Sequence, residues 1–432
     1  MSAVRAAVIG AGLSGALQAL HLLREGADRV RLIERARTPG RGVAYGTDRP
    51  EHLLNVPARR MSAFPDDPDH FVRWYAELHG GGAEDYAPRM IFGDYMQELL
   101  AGAGDRLEIV RGEAVDVPTG GVLLAGGARI DAAVTVLAPG NLRPAIPAGI
   151  DPDALGPLWV GDPWSSLLSA GLAEKDTILL LGTGLTAIDA ALTLDAAGWR
   201  GRIWAMSRRG LAPRAHAARE PMAPPTEAQP ADALTLLRRF RARADEIGWR
   251  SAVHELRSAT QAIWSAAPLD QRQRFLRHLR AWWDVHRHRI APAVAERISK
   301  MEQQGRLSVF AGRLVSAQVE RNAAEVRFRR RGAAAVETVR VGRIVNCTGP
   351  ELDIVRAGEP LFDALLEAGR IRPDPCRLGM DVDGESRAVG AGGTSSDSLY
   401  AIGPVTRGAF WESIAVPDIA VQAQRVARRI LA

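Results

Sequence analysis

Cysteine and lysine are both rare in this chain of 432 residues. The two cysteines, Cys347 and Cys376, are far apart in the sequence, which excludes a disulfide scaffold, an all-cysteine zinc site and a CxxC or CxxxxC redox pair. We therefore expect a reduced, cytoplasmic protein. Every basic residue except Lys175 and Lys300 is arginine, which in a chain rich in alanine and glycine indicates coding bias.

A long uninterrupted hydrophobic run is also absent. Residues 6–23 come nearest, but three glycines, Gln18 and His21 interrupt them, so we expect neither a signal peptide nor a membrane segment. Hydrophobic residues at 47% and charged residues at 24% exclude a disordered or collagen-like chain. At roughly 100–200 residues per domain, the length predicts two or three domains.

The small net charge of +5 is distributed unevenly along the chain. Residues 200–300 contain 20 basic and 9 acidic side chains. Solvated helix faces explain this excess, and so does attraction of an anion such as a phosphorylated nicotinamide cofactor. No nucleic-acid-binding motif accompanies the arginines, so we do not expect nucleic acid as a partner.

A dinucleotide-binding pattern opens the chain. Residues 4–9 predict a buried strand, a helical pattern ends near Gly26, and between them lies a GxGxxG loop made of Gly10, Ala11, Gly12, Leu13, Ser14 and Gly15. The first glycine of such a loop permits the turn, the second lets the backbone approach a pyrophosphate, and the third lets helix and strand pack closely. A second strand ends on Glu34, which is placed to accept hydrogen bonds from an unphosphorylated ribose.

A second pattern of this kind begins at residue 177. A buried strand over 177–181 is followed by the GxGxxA variant, made of Gly182, Thr183, Gly184, Leu185, Thr186 and Ala187. The next strand, 202–206, brings Met206 to the position equivalent to Glu34, and the three residues after it are Ser207, Arg208 and Arg209. A hydroxyl and two guanidiniums suit a 2′-phosphate, so the pattern predicts NADP at this site. The alternative is that both arginines are only surface charges.

The similarity between the two halves extends beyond the glycine loops. Residues 106–112 and 306–312 share a pattern, and alternating runs follow them at 114–134 and 314–344. Each copy closes on a strand that ends in glycine, Gly140 or Gly349. Two copies of one plan predict an α/β protein with two Rossmann-like dinucleotide-binding domains.

Several segments carry a more specific resemblance. They are residues 40–46 (GRGVAYG, with Arg41 and Gly42), 52–58 (HLLNVPA), 61–65 (MSAFP), 182–189 (GTGLTAID), 207–210 (SRRG) and 399–404 (LYAIGP). In these segments the chain resembles the bacterial FAD/NAD(P)-binding flavoprotein family, which is related to the class B flavin-dependent monooxygenases. The resemblance implies three-layer ββα domains, with FAD at the first site and NAD(P)H at the second.

The resemblance also implies how the chain is divided. The FAD-binding domain is expected at residues 1–145 and 350–432, and the NAD(P)-binding domain, inserted in it, at 175–212 and 305–349. Residues 146–174 are expected to form a linker, and 213–304 a helical insertion or substrate cap.

Near the flavin, the resemblance places the segment through Gly403 and a last helix, expected from about Ser413 to Leu431, whose N-terminus stabilises negative charge on the ring. Trp411, beside Phe410, either walls the ring or belongs to the core. Asn55 is our candidate for a catalytic hydrogen bond at the flavin edge, with Ser62 as the second choice; a satisfied turn residue is the alternative for Asn55.

The insertion carries no recognised motif. A helix from Pro268 to Pro292 is expected, with four residues on one face that pack on the nicotinamide domain or line a substrate pocket: Phe275, Leu279, Trp282 and His286. His286 and His288 form HxH without a further ligand at metal-binding spacing, so no metal is expected. His216 is a candidate for the cofactor side. A proline-marked loop precedes the helices, at Pro213, Pro221, Pro224, Pro225 and Pro230.

One segment departs from the related monooxygenases. Enzymes that convert ketones to esters carry a FxGxxxHxxx(W/P) fingerprint before the second glycine loop. Residues 158–164 read LWVGDPW here, and this stretch contains no histidine. This argues against ketone-to-ester oxygenation and leaves hydroxylation of nitrogen, sulfur or a ring carbon open.

The leading hypothesis is an FAD-dependent NADPH oxidoreductase, a monooxygenase that hydroxylates a small molecule with molecular oxygen through a flavin (hydro)peroxide. The first alternative is an NADPH-dependent flavoprotein reductase that passes electrons to a protein or quinone acceptor. The second is a non-catalytic flavin-binding sensor. Neither the substrate nor a homodimer can be decided from the sequence.

Overall fold

Two largely parallel sheets organise the chain in a computed structural model that describes residues 5–217 and 232–432. Pro221, Pro224, Pro225 and Pro230 of the expected loop lie outside the described residues. The strands of the described part are β1 (Ala6–Ile9), β2 (Val30–Glu34), β3 (Leu107–Arg111), β4 (Ala114–Asp116), β5 (Gly121–Leu124), β6 (Arg129–Asp131), β7 (Val134–Leu137), β8 (Trp159–Val160), β9 (Thr177–Leu181), β10 (Arg202–Ser207), β11 (Leu307–Glu320), β12 (Ala323–Arg330), β13 (Glu337–Val341), β14 (Arg343–Asn346), β15 (Arg387–Val389) and β16 (Ser395–Ala401).

The helices of the same part are α1 (Leu13–Arg24), α2 (Gly42–Tyr45), α3 (His70–His79), α4 (Arg89–Gly102), α5 (Pro152–Leu155), α6 (Leu185–Ala196), α7 (Ala233–Ile247), α8 (Trp249–Arg257), α9 (Thr260–Ala266), α10 (Leu269–His278), α11 (Arg280–Arg287), α12 (Pro292–Gln303), α13 (Pro360–Glu367) and α14 (Val416–Leu431).

The first sheet has the strand order β15-β16-β7-β1-β2-β3 within the described residues. β1, β2, β3, β7 and β16 are parallel, and β15 pairs antiparallel with β16 at the edge. Because β16 comes from the end of the chain, the chain returns to its first domain after completing the second. The expected insertion of one dinucleotide-binding domain into the other is confirmed.

Two buried cores flank this sheet. On one face the apolar sides of α1, α4 and α14 pack together, since residues such as Leu17, Met96 and Val426 are buried in one cluster. On the other face the small antiparallel sheet β4-β5-β6 and α13 cover the strands. The result is the expected three-layer ββα arrangement.

The second sheet has the strand order β13-β12-β11-β10-β9-β14-β8 in the part of the chain that the structure describes. β11 runs through 14 residues and has an irregular register between Leu314 and Ser316. Beyond that point it pairs antiparallel with β12, whose Val326 and Phe328 pack against Leu179 and Leu181 of β9. The third layer of this domain is therefore continuous with its central sheet, unlike the separate sheet of the first domain.

Parts of the segments expected as linker and insertion belong to the second sheet and its layers. Trp159–Val160 pairs with β14, so the segment expected as a linker adds an edge strand to the second sheet. α12 packs Val294, Ile298 and Met301 into the core beside α6. The end of the expected cap is thus a layer helix of the nicotinamide-type domain, because its apolar stripe faces that sheet.

The single helix expected from Pro268 to Pro292 is wrong. The chain forms α10 and α11 instead, with Leu279 between them at φ −110°. The break turns Trp283 towards the buried cluster of Trp264, Leu378 and Trp411 and leaves Trp282 exposed. Helical spacing placed Trp282 on the packing face instead of Trp283, because it assumed an unbroken helix.

Candidate functional site

The first glycine loop has the backbone that its sequence requires. Gly10 has φ +94°, and a Cβ there would lie 2.4 Å from the carbonyl oxygen of Ala138. A Cβ on Gly15 would lie 1.7 Å from the carbonyl oxygen of Gly10, so this glycine allows α1 to pack against the turn. Both positions exclude any side chain, which confirms the roles given to the first and third glycines.

An elongated cavity of about 760 Å³ lies over this loop. Its wall includes seven of the residues predicted to bind a cofactor: Gly10, Gly12, Ser14, Glu34, Arg41, Gly42 and Gly140. The N-terminus of α1 has no side-chain cap, so its first amides point to this space with the positive end of the helix dipole. A phosphate group fits this end of the cavity.

The two acceptors of Glu34 hold the neighbouring backbone. Its Oε2 accepts a hydrogen bond from Ala11 N at 2.6 Å, and its Oε1 accepts one from Ala36 N at 2.7 Å. Arg35, the next residue, pairs with Glu113 at 3.0 Å and with Glu359 at 2.9 Å. The carboxylate is thus fixed in orientation at the cavity wall, with lone pairs left for a ribose hydroxyl.

Arg41 and Tyr45 belong to the segment that covers the loop. Arg41 donates to Gln97 Oε1 at 2.6 Å and forms an ion pair with Asp94. Tyr45 lies on the cavity wall with its ring 4.7 Å from that of Phe92, and burial raises the pKa of its hydroxyl to about 12. Tyr45 is not among the residues predicted from the sequence, although it lies in segment 40–46.

Gly403 joins the last helix to the first glycine loop. It has φ +74°, and a Cβ there would lie 2.2 Å from Ser14 Oγ. Its amide donates to Gln422 Oε1 at 3.0 Å, and its carbonyl accepts from Thr406 Oγ1 at 2.8 Å and from Ser413 Oγ at 3.2 Å. This network places the start of α14 at the cavity, where Ile414 and Ile419 form part of the wall. The helix begins at Val416, slightly later than expected.

The second glycine loop repeats the first in its backbone. Gly182 has φ +124°, and a Cβ there would lie 2.0 Å from the carbonyl oxygen of Cys347. A Cβ on Gly184 would meet nothing within 4 Å, and Thr186 is half-buried on the first turn of α6. Gly349 has φ +84° with open space around it. This loop is open where the first is covered.

Ser207, the last residue of β10, and the two arginines after it make different contacts. Ser207 Oγ accepts hydrogen bonds from Thr183 Oγ1 at 2.8 Å and from Gly210 N at 3.0 Å, so it holds the loop. Arg209 donates to the carbonyl oxygen of Arg277 at the end of α10, at 3.0 Å. Arg208 is exposed and has no hydrogen-bond partner among the described residues. We had expected all three to contact a phosphate, and the geometry leaves Arg208 available for that contact.

Three other predicted residues lie away from the cofactor cavity. Ser62 is buried and donates to the carbonyl oxygens of Phe64 and Asp67, at 3.1 and 2.6 Å, as a turn residue does. Trp411 stacks on Trp264 at 4.6 Å between ring centroids and belongs to the core. Asn55 lies at the domain interface, where its carbonyl oxygen is 2.9 Å from His216 Nε2. Side-chain chemistry alone does not separate a wall residue from a core residue.

Two of the segments that carry the resemblance, 52–58 and 182–189, meet across the domains. Arg89, which follows the segment with His52, forms a bidentate ion pair with Asp189 of α6, with N–O distances of 2.7 and 3.2 Å. His52 Nε2 lies 2.9 Å from Thr193 Oγ1, and burial lowers the pKa of its imidazole. A buried acid on an apolar helix face needs a cationic partner, and that rule is the signal that could have found this contact.

Cys347 directly follows the closing strand β14 and is buried, which raises the pKa of its thiol. It is a small core residue, as expected. Cys376 is also a free thiol. The part of the chain that the structure describes contains no group of three or more His, Cys, Asp or Glu side chains arranged to hold a metal. A search of the described helices found none long and apolar enough to span a bilayer.

Comparison with known proteins identifies the first domain. Residues 7–142 match the sequence profile of the FAD-NAD(P)-binding family. This range contains the first glycine loop, Glu34 and most of the cavity wall. No curated protein matches the chain in sequence.

Solved structures match the chain over its whole length. The ornithine hydroxylase of Pseudomonas aeruginosa is 15% identical, with 99% of this chain and 98% of that chain covered and a TM-score of 0.64. L-lysine 6-monooxygenase from Pseudomonas syringae is 16% identical, with 99% of each chain covered and a TM-score of 0.68.

The FAD-bound cadaverine monooxygenase from Erwinia amylovora is 14% identical, with 100% of this chain and 95% of that chain covered and a TM-score of 0.69. At such identities the likeness shows the fold. Residues 7–142 are therefore similar to the FAD-NAD(P)-binding family, and the whole chain has the mixed α/β, two-domain fold of these solved structures.

Proposed function

We propose that this protein is an FAD-dependent, NADPH-oxidising monooxygenase that hydroxylates a small molecule, with nitrogen as the favoured atom. The observation that carries the proposal is the pair of glycine-loop sites with opposite ribose chemistry, a carboxylate at the first and a free arginine at the second. The three compared structures all carry names of hydroxylating enzymes that act on amines, which supports nitrogen over sulfur or carbon.

The first site fits FAD by its shape and its donors. Gly12 and Gly140 leave space along the wall, uncapped amides of α1 suit a pyrophosphate, and Glu34 suits the ribose. Bound FAD supplies the acceptance of hydride and the reaction with oxygen. The protein's part is to fix its position and to exclude water at Ile414 and Ile419.

The second site fits NADPH. Open space at Gly184 lets a pyrophosphate approach α6, and Arg208 supplies a guanidinium for the 2′-phosphate. The contact between Arg89 and Asp189 fixes α6 against the first domain, so the two nucleotides are held in a constant relation. Asn55, at the same interface, remains our proposed hydrogen-bond donor to the reacting centre. Because both cysteines are free thiols, we place the reaction in a reducing cytoplasm.

Rapid kinetics with the FAD-loaded protein test the proposal. NADPH is expected to bleach the flavin absorbance under anaerobic conditions, with NADH reacting more slowly. On admission of oxygen, a true substrate is expected to yield one hydroxylated product per NADPH and to suppress release of hydrogen peroxide. Fast reduction with peroxide release under every substrate tried indicates a reductase, and absence of reduction by NADPH refutes the function.

A further inference from the structure

A short segment of the first domain contacts the second domain through a buried histidine. His52, whose exposed fraction is 1%, lies shortly after Gly46 of the cofactor cavity wall. Its Nε2 lies 3.2 Å from the carbonyl oxygen of Asp189 and 2.9 Å from Thr193 Oγ1, both on α6. The residue therefore connects the segment that covers the first glycine loop to the helix that follows the second.

α6 carries two polar residues within its buried part. Residues 187–194 are all buried, and among them only Asp189 and Thr193 are polar. Residues four positions apart lie on the same face of a helix, and buried polar groups need partners. The first domain supplies them: His52 reaches Thr193, and Arg89 reaches the Asp189 carboxylate at 2.7 Å. This face of α6 is therefore specific for its contact with the first domain.

The hydrogen bonds of His52 determine which of its nitrogens carries the proton. The carbonyl oxygen of Asp189 can only accept, so Nε2 bears the hydrogen and donates it to α6. Burial lowers the pKa of the imidazole, so Nδ1 is unprotonated and accepts a hydrogen bond from Thr47 Oγ1 at 2.9 Å. The neutral ring thus uses one nitrogen in each domain.

Thr47 connects the imidazole to the cofactor cavity. It directly follows Gly46, which forms part of the cavity wall. Its Oγ1 also accepts a hydrogen bond from Arg49 N at 3.1 Å, which holds the turn that leads to His52. A continuous series of contacts therefore runs from the wall of the first site, through His52, to α6, which begins directly after Gly184 of the second glycine loop.

We propose that His52 is a positioning residue for hydride transfer between the two bound nucleotides. The inference rests on the proposed function and deepens it. In this step a hydride leaves NADPH, which is oxidised to NADP⁺, and is accepted by the flavin of FAD, which is reduced; His52 neither gains nor loses a proton. Its hydrogen bond to α6 sets the distance between the second glycine loop and the cofactor cavity. Transfer slows steeply when the reacting atoms are displaced by about 1 Å.

His52→Asn and His52→Gln separate the two hydrogen bonds of the imidazole. The amide of asparagine reaches the position of Nδ1 and keeps the contact with Thr47, whereas the amide of glutamine reaches the position of Nε2 and keeps the contact with α6. Each variant loses one buried hydrogen bond and no charge, because the imidazole is neutral. Similar Tm values are therefore expected, and each variant is the matched control of the other.

The FAD-loaded parent protein and both variants are mixed with NADPH without oxygen, and flavin reduction is followed over a range of NADPH concentrations. His52→Asn is expected to lower the limiting rate by about 10- to 100-fold, whereas the Kd for NADPH and the amount of bound FAD stay nearly unchanged. His52→Gln, the conservative variant, is expected to retain most of the limiting rate. A general loss of structure would change rate, Kd and FAD content together.

Hydrogen–deuterium exchange measures the same contact without a reaction. In the FAD-loaded protein without NADPH, the amides of α6 are expected to exchange faster in His52→Asn than in His52→Gln, because the helix has lost its hydrogen bond to the first domain. The strand β12 of the same domain is the internal reference, and its amides are expected to exchange equally in both variants.

Three results would overturn the inference. These are equal limiting rates in the two variants, a lower rate in His52→Gln than in His52→Asn, and equal exchange of α6 in both. If NADPH reduces the parent protein and both variants at the same rate, only the inference falls. If NADPH does not reduce the parent protein, the proposed function falls, and the exchange of α6 still decides whether His52 holds this helix.

Discussion

The two glycine loops of this protein share one backbone and differ in what surrounds it. In each loop the first glycine, Gly10 or Gly182, would place a Cβ on the carbonyl of the strand that closes the domain, at 2.4 and 2.0 Å. The second strand ends on Glu34 in one domain and on Ser207, followed by Arg208, in the other. The duplicated backbone is typical of dinucleotide-binding loops, and the residues at the end of the second strand are predicted to select the ribose.

The loops also differ in access. A Cβ on Gly12 would lie 3.5 Å from Gly42 Cα of the covering segment, whereas a Cβ on Gly184 would meet nothing within 4 Å. The first loop is enclosed, as suits a cofactor that stays bound through many turnovers. The second is open, as suits a nucleotide that must leave after each reduction.

The largest expected effect comes from the positions where the loops agree. Gly182→Ala is expected to lower the free energy of unfolding by about 4 kcal/mol or more, because the Cβ collides with backbone and the positive φ is lost. Gly184→Ala, two residues on, is the matched control: it is expected to fold normally, to retain FAD and to bind NADPH poorly. Denaturant titration and NADPH binding measure the two effects. Equal stability of both variants would refute the duplicated geometry.

A smaller loss is expected where the two domains touch. Arg89→Met is expected to lower the free energy of unfolding by about 3 kcal/mol, because Asp189 is left buried and unpaired. Arg73→Met, whose pair with Asp67 is exposed, is the control and is expected to change stability by less than about 1 kcal/mol. Denaturant titration of both variants checks this. Similar losses in the two variants would show that the interdomain pair has no special role.

Low pH is expected to destabilise the first domain through His21, a histidine that has no counterpart in the second domain. Burial lowers the pKa of His21 on α1 to about 4, and Thr193 stands at the equivalent place on α6. The pKa of His21 is lower in the folded state than in the unfolded state, so the neutral imidazole is compatible with burial and the protonated one is not. The folded protein therefore keeps its full stability above pH 6.5 and loses part of it as the pH falls towards 4. The loss amounts to about 3 kcal/mol. His21→Gln is expected to flatten this part of the stability profile measured by denaturant titration; an unchanged slope would contradict it.

The smallest effect concerns the residues that distinguish NADPH from NADH. Arg208→Ala is expected to raise the KM for NADPH by roughly 10- to 100-fold and to leave that for NADH nearly unchanged, because a charge-assisted phosphate contact is lost. Arg209→Ala is the matched neighbour: Arg209 holds the carbonyl of Arg277, so both KM values are expected to change little and equally. Steady-state kinetics with both nucleotides give the answer. If Arg209→Ala, and not Arg208→Ala, loses the preference for NADPH over NADH, then Arg209 is the residue that contacts the 2′-phosphate.

Much of this comparison could be predicted from the sequence. The strands before both loops, the helices after them, Glu34 and the return of the chain at β16 follow from patterns of glycine and buried residues. The sequence could not show that Arg208 is exposed while Arg209 contacts the carbonyl of Arg277. Adjacent residues on a turn point in different directions, and the sequence does not give those directions. The break at Leu279 was also hidden, since no proline or glycine marks it.

The sequence by itself indicated two dinucleotide-binding domains, because this property depends on local glycine geometry. From the residues at the end of one strand in each domain it also predicts which ribose each site prefers. Only the tertiary structure decided that Trp411 is core and that Arg89 meets Asp189. The reason is physical: burial and charge balance depend on which surfaces meet, and residues far apart in the chain supply those surfaces.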